Sequence, residues 1–327
     1  MPVRALWYSA PEQIEIRPTE LAIPGAGEVL VRTLWSGVSR GTERLVSRGE
    51  VPEAEWDRMR CPAQEGSFPF PVKYGYSLVG QIESGSDQLR GRVVFALHPH
   101  QTKAVLREET VILLPDAMPP RRAVLAANME TALNGLWDSG AGPGDRIVVV
   151  GGGVIGCLLA YLAGRLPGAE VTLVDSNPAR HAQASQLGVK FADPQAAPQD
   201  ADIVFHASAS EAGLATALSC AGLEAVVCEL SWYGSRPVKA ALGGAFHSQR
   251  LKLISSQVSL LPADRRARWT HRRRLALALE LLQDARLDVL LATEIEFDEA
   301  PRALPALFDD PTVLGIVIHH SDKGQRS

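Results

Sequence analysis

Three glycines follow a short apolar run near the middle of the chain, in an arrangement that suits the phosphates of a nucleotide. The run Ile147–Val150 predicts a strand buried on both faces, and it leads directly into Gly151, Gly153 and Gly156. Gly151 permits a tight turn, and Gly153 lets the backbone approach a pyrophosphate. Gly156 lets the following helix pack against the sheet. These residue types and their spacing therefore predict a phosphate-binding turn.

The helix after this turn and an acidic residue beyond it complete the pattern of a dinucleotide site. Val154 and Ile155 begin the predicted helix, whose free N–H groups and positive dipole end would face the phosphates. A second apolar run ends at Asp175, where the carboxylate would accept hydrogen bonds from both ribose hydroxyls. The same carboxylate would repel a 2′-phosphate, so NAD is favoured over NADP, although Arg180 could accommodate that phosphate. A loop without a ligand is the alternative explanation of the glycines taken alone.

Further candidate contacts follow two later strands of the same predicted sheet. Ser208 follows the predicted strand Ile203–Ala207, and Ser231 and Trp232 follow the predicted strand Ala225–Leu230. Ligands of such sheets bind at the carboxyl ends of the strands. Ser208 and Ser231 are therefore candidate cofactor contacts. Trp232 is a candidate substrate contact, with packing in the core as the alternative.

Length and composition bound the class of protein. The chain has 327 residues, a formal net charge of -4 and 46% hydrophobic residues, which is typical of a globular protein of about two domains. The slightly acidic balance argues against nucleic-acid or membrane-surface partners. The first residues lack the apolar core of a signal peptide, and no stretch approaches a membrane span. The four cysteines are scattered without a Cys-x-x-Cys pair, so we expect a protein of the reducing cytoplasm.

The chain changes its pattern after about 120 residues. The first part predicts an antiparallel β-rich lobe, with strands at Val29–Leu34, Leu78–Glu83, Arg92–Leu97, Ala104–Arg107 and Val111–Leu114. From about Arg121, helices and strands alternate, which predicts a doubly wound parallel sheet. The first helix of this part is expected at Ala123–Leu136.

The last part of the chain is expected to return to the first lobe. A helix is predicted at about Arg272–Gln283, followed by short strands at Glu294–Phe297 and Gly315–His319. Such short strands need partners, and the β-rich lobe is the natural place for them. The final segment Ser321–Ser327 is predicted to be a frayed tail.

This order of lobe, nucleotide domain and return resembles the medium-chain dehydrogenase/reductase superfamily over nearly the whole chain. The resemblance is carried by Gly27–Arg32, Ser36–Glu43, Gly75–Gly80, the glycine turn and Leu314–Ile318. Through Ser36–Glu43 and Lys73–Ser77 the chain looks most like the bacteriochlorophyllide a dehydrogenase-like branch. The resemblance implies an α/β fold with a GroES-like catalytic domain of residues 1–122 and 262–327. It also implies a Rossmann domain of residues 123–261, and a homodimer for which Ala225–Ser231 and the following loop are the expected surface.

The zinc ligands of the superfamily are missing from this sequence. Where zinc-dependent members carry cysteine, histidine and glutamate ligands, this chain by resemblance holds Ser39, Tyr76, Ser77 and Ala127 or Asn128. Hydroxyl, phenol and amide groups cannot replace thiolate and imidazole ligands. His98 and His100 could form a ligand pair, but no further ligand lies near them in the sequence. We therefore predict that the protein binds no zinc or other metal.

A site without zinc needs a hydrogen-bond donor that can exchange a proton with the substrate oxygen. By resemblance Tyr76 faces the nicotinamide and is the candidate donor, with simple packing of the aromatic ring as the alternative. Thr42 and Ser39 would complete a hydroxyl relay, unless they only bond to the backbone. Glu130 is either a general base or a solvated charge in the first turn of a helix. The candidate substrate contacts in the first lobe are Lys73, Tyr74, His98 and His100, of which Lys73 and Tyr74 are expected at the pocket mouth.

Six arginines between Arg265 and Arg274 crowd the start of the predicted helix Arg272–Gln283. This placement opposes the helix dipole, which is modest support for a functional role. A solvated charged face is the usual explanation of such a run. If the run is functional, Arg272 and its neighbours would hold an anionic substrate group. The alternative anion is the pyrophosphate, whose usual basic contact in the superfamily is replaced by Asp310–Val313.

The leading hypothesis is a zinc-independent, NAD-linked dehydrogenase that interconverts a secondary alcohol and a ketone. The branch resemblance implies oxidation of a hydroxyethyl group on a large ring system. An NADPH-dependent quinone or enoyl reductase is the alternative enzyme, and Asp175 argues against it. A dinucleotide-binding sensor without catalysis is the alternative from another class.

Overall fold

The chain forms two units in the computed structural model, which describes residues 2–321. The first unit contains the chain up to Ala127 and again from Leu275, and the second unit runs from Asn128 to Arg274. The sequence predicts that the chain enters the second unit after residue 122 and leaves it after residue 261, which is earlier than observed in both cases. Apart from Ser321, the predicted frayed tail lies outside the described residues.

Strands are distributed along the whole described chain. In chain order they are β1 (Arg4–Ala10), β2 (Gln13–Pro18), β3 (Glu28–Val38), β4 (Glu65–Gly66), β5 (Val72–Lys73), β6 (Leu78–Ser84), β7 (Val93–Ala96), β8 (Lys103–Arg107), β9 (Ile112–Leu113), β10 (Arg146–Val150), β11 (Glu170–Val174), β12 (Lys190–Ala192), β13 (Ala201–His206), β14 (Ala221–Glu229), β15 (Lys252–Ser255), β16 (Thr293–Glu296) and β17 (Ile316–His319).

Helices occur in both units. In chain order they are α1 (Arg40–Ser47), α2 (Pro120–Ala123), α3 (Ala126–Ser139), α4 (Val154–Ala163), α5 (Arg180–Leu187), α6 (Glu211–Cys220), α7 (Ala245–Ser248), α8 (His271–Leu281) and α9 (Ala300–Asp309).

The second unit is built on a six-stranded parallel sheet in the order β12-β11-β10-β13-β14-β15. Its central strand β10 is buried from Ile147 to Val150, as expected for a strand covered on both faces. The helix α4 is buried all the way round from Gly156 to Ala163, which marks it as an interior helix. The predicted doubly wound sheet is therefore confirmed, and the order of its strands reverses between β10 and β13.

The first unit contains a seven-stranded sheet with the main order β16-β17-β3-β6-β7-β9, and β8 also pairs with β3. β17 runs antiparallel to β3, and β16 runs parallel to β17. The predicted return of the two terminal strands to the first lobe is therefore confirmed. A second sheet has the order β2-β1-β5-β4.

The helix predicted at Ala123–Leu136 is interrupted, because α2 ends at Ala123 and α3 begins at Ala126. The hydroxyl of Ser77 donates to the carbonyl of Val124 at 2.6 Å, which gives that carbonyl a partner outside the helix. A buried side chain from the first unit therefore marks the break between the two helices.

The sequence pattern also missed several elements. The sequence pattern does not predict β1, β2, α1 or α9, all of which belong to the first unit. The helix α9 contains Pro305 in its interior, where proline normally disfavours a helix. Its buried residues Ala300, Leu304 and Phe308 follow the spacing of a helix face, and this packing outweighs the local disfavour.

The expectation that Ala225–Ser231 forms the dimer surface, as a strand edge open to a second subunit, is wrong. Most of it belongs to β14, which is hydrogen-bonded to β13 on one side and β15 on the other. Among residues 2–321, the outer edge of this sheet on that side is β15, whose residues are mostly exposed.

None of the helices within the described range has both the length and the apolar character that a bilayer crossing requires.

Candidate functional site

The glycine turn of the second unit has the geometry that its sequence predicts. Gly151 has a φ of 109°, a conformation that residues with a side chain rarely adopt. A Cβ atom at Gly156 would lie 1.8 Å from the carbonyl oxygen of Gly151, so only glycine allows α4 to approach the turn this closely. A Cβ atom at Gly153 would meet no atom within 4 Å, which leaves open space beside the N-terminus of α4. Val154 and Ile155 form the first turn of that helix, as expected.

Asp175 follows β11 and is bound to the same turn. One carboxylate oxygen accepts a hydrogen bond from the N–H of Gly152 at 2.6 Å, and the other accepts from the N–H of Asn177 at 2.7 Å. Arg180 is buried, and a Cβ atom at Gly152 would lie 3.1 Å from both the Arg180 Cγ and an Asp175 oxygen. The acidic and basic candidates for the ribose position therefore lie side by side. Each carboxylate oxygen retains a lone pair for a ribose hydroxyl.

Ser208 and Ser231 surround a histidine that sequence reasoning did not select as a site residue. The Ser208 hydroxyl lies 2.7 Å from Nε2 of His206, and the Ser231 hydroxyl accepts a hydrogen bond from the N–H of Ala209 at 3.0 Å. Nδ1 of His206 lies 2.7 Å from a carboxylate oxygen of Glu229. Trp232 is half-buried after the end of β14. The two serines therefore lie together at the carboxyl edge of the sheet.

Glu130 is buried in the second unit, so the expectation of a solvated first-turn charge is wrong. Its side chain forms an ion pair with Arg274 at 3.0 Å, and the two residues are 5% and 1% exposed. Burial raises the pKa of Glu130, and the charge of Arg274 acts in the opposite direction. Arg274 also donates to the side chain of Asn134 and to the carbonyl of Val258. A buried pair of this kind has a structural role, so the geometry does not favour Glu130 as a general base.

The arginines of the run Arg265–Arg274 differ in their environments. Its last member is the buried Arg274, whereas Arg272 and Arg273 are exposed. Arg273 lies over the ring of Trp269 at 3.9 Å, and Arg265 lies over the ring of Trp137 at 5.2 Å. Part of the run therefore stabilises the second unit through ring contacts and a buried pair, which the sequence hypotheses did not include.

Tyr76 lies in the first unit with both hydroxyls of the predicted relay. Burial raises the pKa of Tyr76 to about 12, against hydrogen bonds from Ser39 and Thr42 that lower it. Ser39 is the N-cap residue of α1, and Thr42 lies in the first turn of that helix. The N-terminus of α1 therefore holds both hydroxyls on the phenol.

A buried polar network that was missed from the sequence extends from the same helix. Glu43 is fully buried, and its carboxylate accepts hydrogen bonds from the Tyr8 hydroxyl at 2.6 Å and from the N–H of Ser39 at 2.7 Å. Nε2 of His100 lies 2.9 Å from the same carboxylate, and its Nδ1 lies 2.8 Å from the Ser36 hydroxyl. A carboxylate near a helix N-terminus is favoured by the helix dipole. His100 is thus a member of this network.

The expected positions of Lys73 and Tyr74 at a pocket mouth are wrong, because both side chains are buried. Lys73 forms an ion pair with Glu65 and donates to the Gln101 side chain at 2.9 Å. The hydroxyl of Tyr74 donates to a backbone carbonyl at 3.2 Å. Both side chains therefore satisfy their polar atoms within the protein.

His98 is buried as well, and its Nδ1 lies 2.9 Å from the carbonyl of Pro99. Burial lowers the pKa of His98 to about 4, so its ring is neutral at neutral pH. Across residues 2–321, no three histidine, cysteine, aspartate or glutamate side chains are grouped so that they could hold a metal ion. The positions that resemble zinc-ligand positions hold hydroxyl and phenol groups, which do not fit zinc.

Comparisons with known proteins extend over nearly the whole chain. No family model matches it. The chain is 26% identical to 2-desacetyl-2-hydroxyethyl bacteriochlorophyllide A dehydrogenase of Rhodobacter capsulatus, over 98% of this chain and 99% of that protein. The crystal structure of L-idonate 5-dehydrogenase from Escherichia coli has a TM-score of 0.81 at 14% identity, with 98% of this chain and 99% of that chain covered. A Sinorhizobium meliloti protein bound to NADP has a TM-score of 0.77 at 18% identity, with 98% and 100% covered.

These likenesses confirm the predicted fold class, a GroES-like domain combined with a Rossmann domain.

The glycine turn yields a prediction that separates folding from ligand binding. Gly156→Ala should lower the free energy of unfolding by at least ~2 kcal/mol, because the added methyl collides with backbone. Gly153→Ala, the matched control, should change it by less than ~0.5 kcal/mol, since its methyl meets open space. The second variant should nonetheless bind NADH more weakly, because the methyl occupies the side of the turn offered to phosphate. Urea unfolding and NADH titration measure both effects. Equal stability losses in the two variants would contradict the close approach of α4.

Proposed function

We propose that the protein is an NAD-linked oxidoreductase that interconverts a secondary alcohol and a ketone without catalytic zinc. The observation that carries this proposal is the glycine turn with Asp175, at the adjacent carboxyl ends of β10 and β11. The dehydrogenase name of the Rhodobacter relative, which matches along the whole chain, supports an oxidoreductase. It also favours a hydroxyethyl group on a large ring as the substrate class.

The residues of the turn fit a dinucleotide. The open space at Gly153 and the start of α4 would receive the pyrophosphate, and Asp175 would receive the adenosine ribose. The Asp175 carboxylate favours NAD because it would repel a 2′-phosphate. Arg180 lies beside that carboxylate and is buried, so it would partly neutralise the acid instead of replacing it.

A bound nicotinamide would supply or accept the hydride, and the protein must then move a proton. A pKa of about 12 keeps the Tyr76 phenol protonated at neutral pH, so it can donate to the oxygen of a ketone. Ser39 and Thr42 would hold the phenol and stabilise the phenolate that remains. In the oxidation direction the Tyr76 oxygen would accept the alcohol proton while its own proton moves on through the Ser39 and Thr42 hydroxyls.

We also propose a homodimer that pairs through β15, and a reducing cytoplasmic setting that keeps the four buried cysteines as free thiols.

The cofactor assignment predicts the behaviour of Asp175→Ala. Removal of the carboxylate should weaken NADH binding about tenfold and reduce the preference over NADPH, since the repulsion of the 2′-phosphate is lost. Asp202→Ala is the matched control, because Asp202 lies at the amino end of β13 and accepts from the N–H of Arg146. Fluorescence titration with both cofactors gives the four dissociation constants. If the ratio of the NADPH and NADH dissociation constants is unchanged in Asp175→Ala, Asp175 does not bind the ribose.

The proton-donor assignment predicts that Tyr76→Phe lowers kcat about 10²-fold or more and leaves NADH affinity unchanged. Tyr74→Phe is the matched control, because the Tyr74 hydroxyl bonds only to a backbone carbonyl. The assay uses secondary alcohols with NAD, and metal analysis of the same sample should find no stoichiometric zinc. Full activity in Tyr76→Phe, or one tightly bound zinc per chain, would refute the metal-free mechanism.

A further inference from the structure

The buried His206 and the half-buried Glu229 form a pair at the carboxyl edge of the parallel sheet. They are the last residues of β13 and β14 and lie opposite each other in the register of these strands. The His206 side chain is fully buried, with Nδ1 at 2.7 Å from Glu229 and Nε2 at 2.7 Å from the Ser208 hydroxyl. Both ring nitrogens are therefore occupied by fixed partners.

Glu229 is ionised in this arrangement. One carboxylate oxygen accepts from the N–H of Ser231 at 2.7 Å, and the other accepts from the Tyr233 hydroxyl at 3.1 Å. Burial alone would raise the pKa of Glu229, but the hydrogen bonds from His206 and Ser231 bring that pKa below its ordinary value. Among residues 2–321, the one ion-pair partner of Glu229 is His206, with no lysine or arginine in reach.

The hydrogen-bond partners fix the proton on the histidine. A carboxylate is an acceptor only, so Nδ1 of His206 must be the protonated nitrogen. Nε2 can then accept a hydrogen bond from the Ser208 hydroxyl, so the ring needs no second proton. In this state the pair carries a net charge of about -1.

The sheet order places this charge on the side of the nicotinamide. The strand order reverses between β10 and β13, and a dinucleotide lies across such a point. With Asp175 after β11 taking the adenosine ribose, the other half of the cofactor would extend over the ends of β13 and β14. The backbone of Ser208 borders the turn, because a Cβ atom at Gly151 would lie 2.7 Å from the Ser208 nitrogen.

We propose that the Glu229–His206 pair selects the oxidised cofactor. The nicotinamide ring of NAD⁺ carries a positive charge and that of NADH does not, so a fixed negative charge on this side attracts only the oxidised ring. The Ser208 hydroxyl, by contrast, would contact a group outside the nicotinamide ring, which is the same in NAD⁺ and NADH. This inference rests on the proposed dinucleotide function and assigns Glu229 a role in specificity that neither the glycine turn nor Asp175 supplies.

Isothermal titration calorimetry with NAD⁺ and NADH tests the proposal without a substrate. Glu229→Gln should raise the Kd for NAD⁺ roughly fivefold to tenfold and change the Kd for NADH less than about twofold, as expected for one partly screened charge. Ser208→Ala should raise the Kd for NAD⁺ and the Kd for NADH by the same factor. Glu224→Gln is the matched control, because Glu224 lies on the same strand but is exposed and paired with Arg250. It should change neither constant.

A measurement on the native protein keeps the test decisive if Glu229→Gln does not fold. Raising the salt concentration screens the attraction between charges, so the Kd for NAD⁺ should rise more than the Kd for NADH, because the two cofactors differ in charge only at the nicotinamide ring. Equal rises of both constants with salt, or equal losses for NAD⁺ and NADH in Glu229→Gln, would overturn the charge-selection role. If the native protein binds no nicotinamide dinucleotide at all, the proposed function itself fails, which is a different result.

Discussion

The close approach of α4 to the glycine turn is the constraint on which the second unit depends. The Gly156 backbone lies so near the Gly151 carbonyl that any side chain at Gly156 would overlap it. This contact sets the N-terminus of α4 directly at the end of β10, where its dipole and free N–H groups meet any phosphate at the turn. The Asp175 carboxylate then ties the turn to the end of β11. Backbone packing thus fixes the phosphate position, and the choice between cofactors depends on side chains.

The first unit positions its polar groups by a different device, the N-terminus of α1. That single helix end carries Ser39, Thr42 and Glu43, so the two hydroxyls at Tyr76 and the buried carboxylate share one rigid support. Glu43 gains the donors that a buried acid requires from Tyr8 and His100. These hydrogen bonds hold the start of α1 in place, and a fixed geometry is what proton transfer from a phenol needs.

The sequence predicts features that depend on neighbours along the chain, and it fails on those that depend on distant partners. The glycine turn and the alternating strands follow from local pattern, and both appear as expected. Glu130 and Arg274 are 144 positions apart, so no local signal could show that they neutralise each other in the interior. Lys73 was expected at a pocket mouth for the same reason, since its partners Glu65 and Gln101 come together only through the sheets of the first unit. The interior position of β14 likewise follows from β15 pairing beyond it, which its own residues do not encode.

Titration of the native protein with NADH and with NADPH, followed by nicotinamide fluorescence, tests the central claim most directly. We expect saturable binding of NADH with a Kd at least about tenfold below that of NADPH, because each Asp175 oxygen keeps a lone pair for a ribose hydroxyl and the carboxylate repels a 2′-phosphate. Tighter binding of NADPH would show that Arg180 and not Asp175 governs the ribose position. Absence of binding for both cofactors would contradict the dinucleotide site itself.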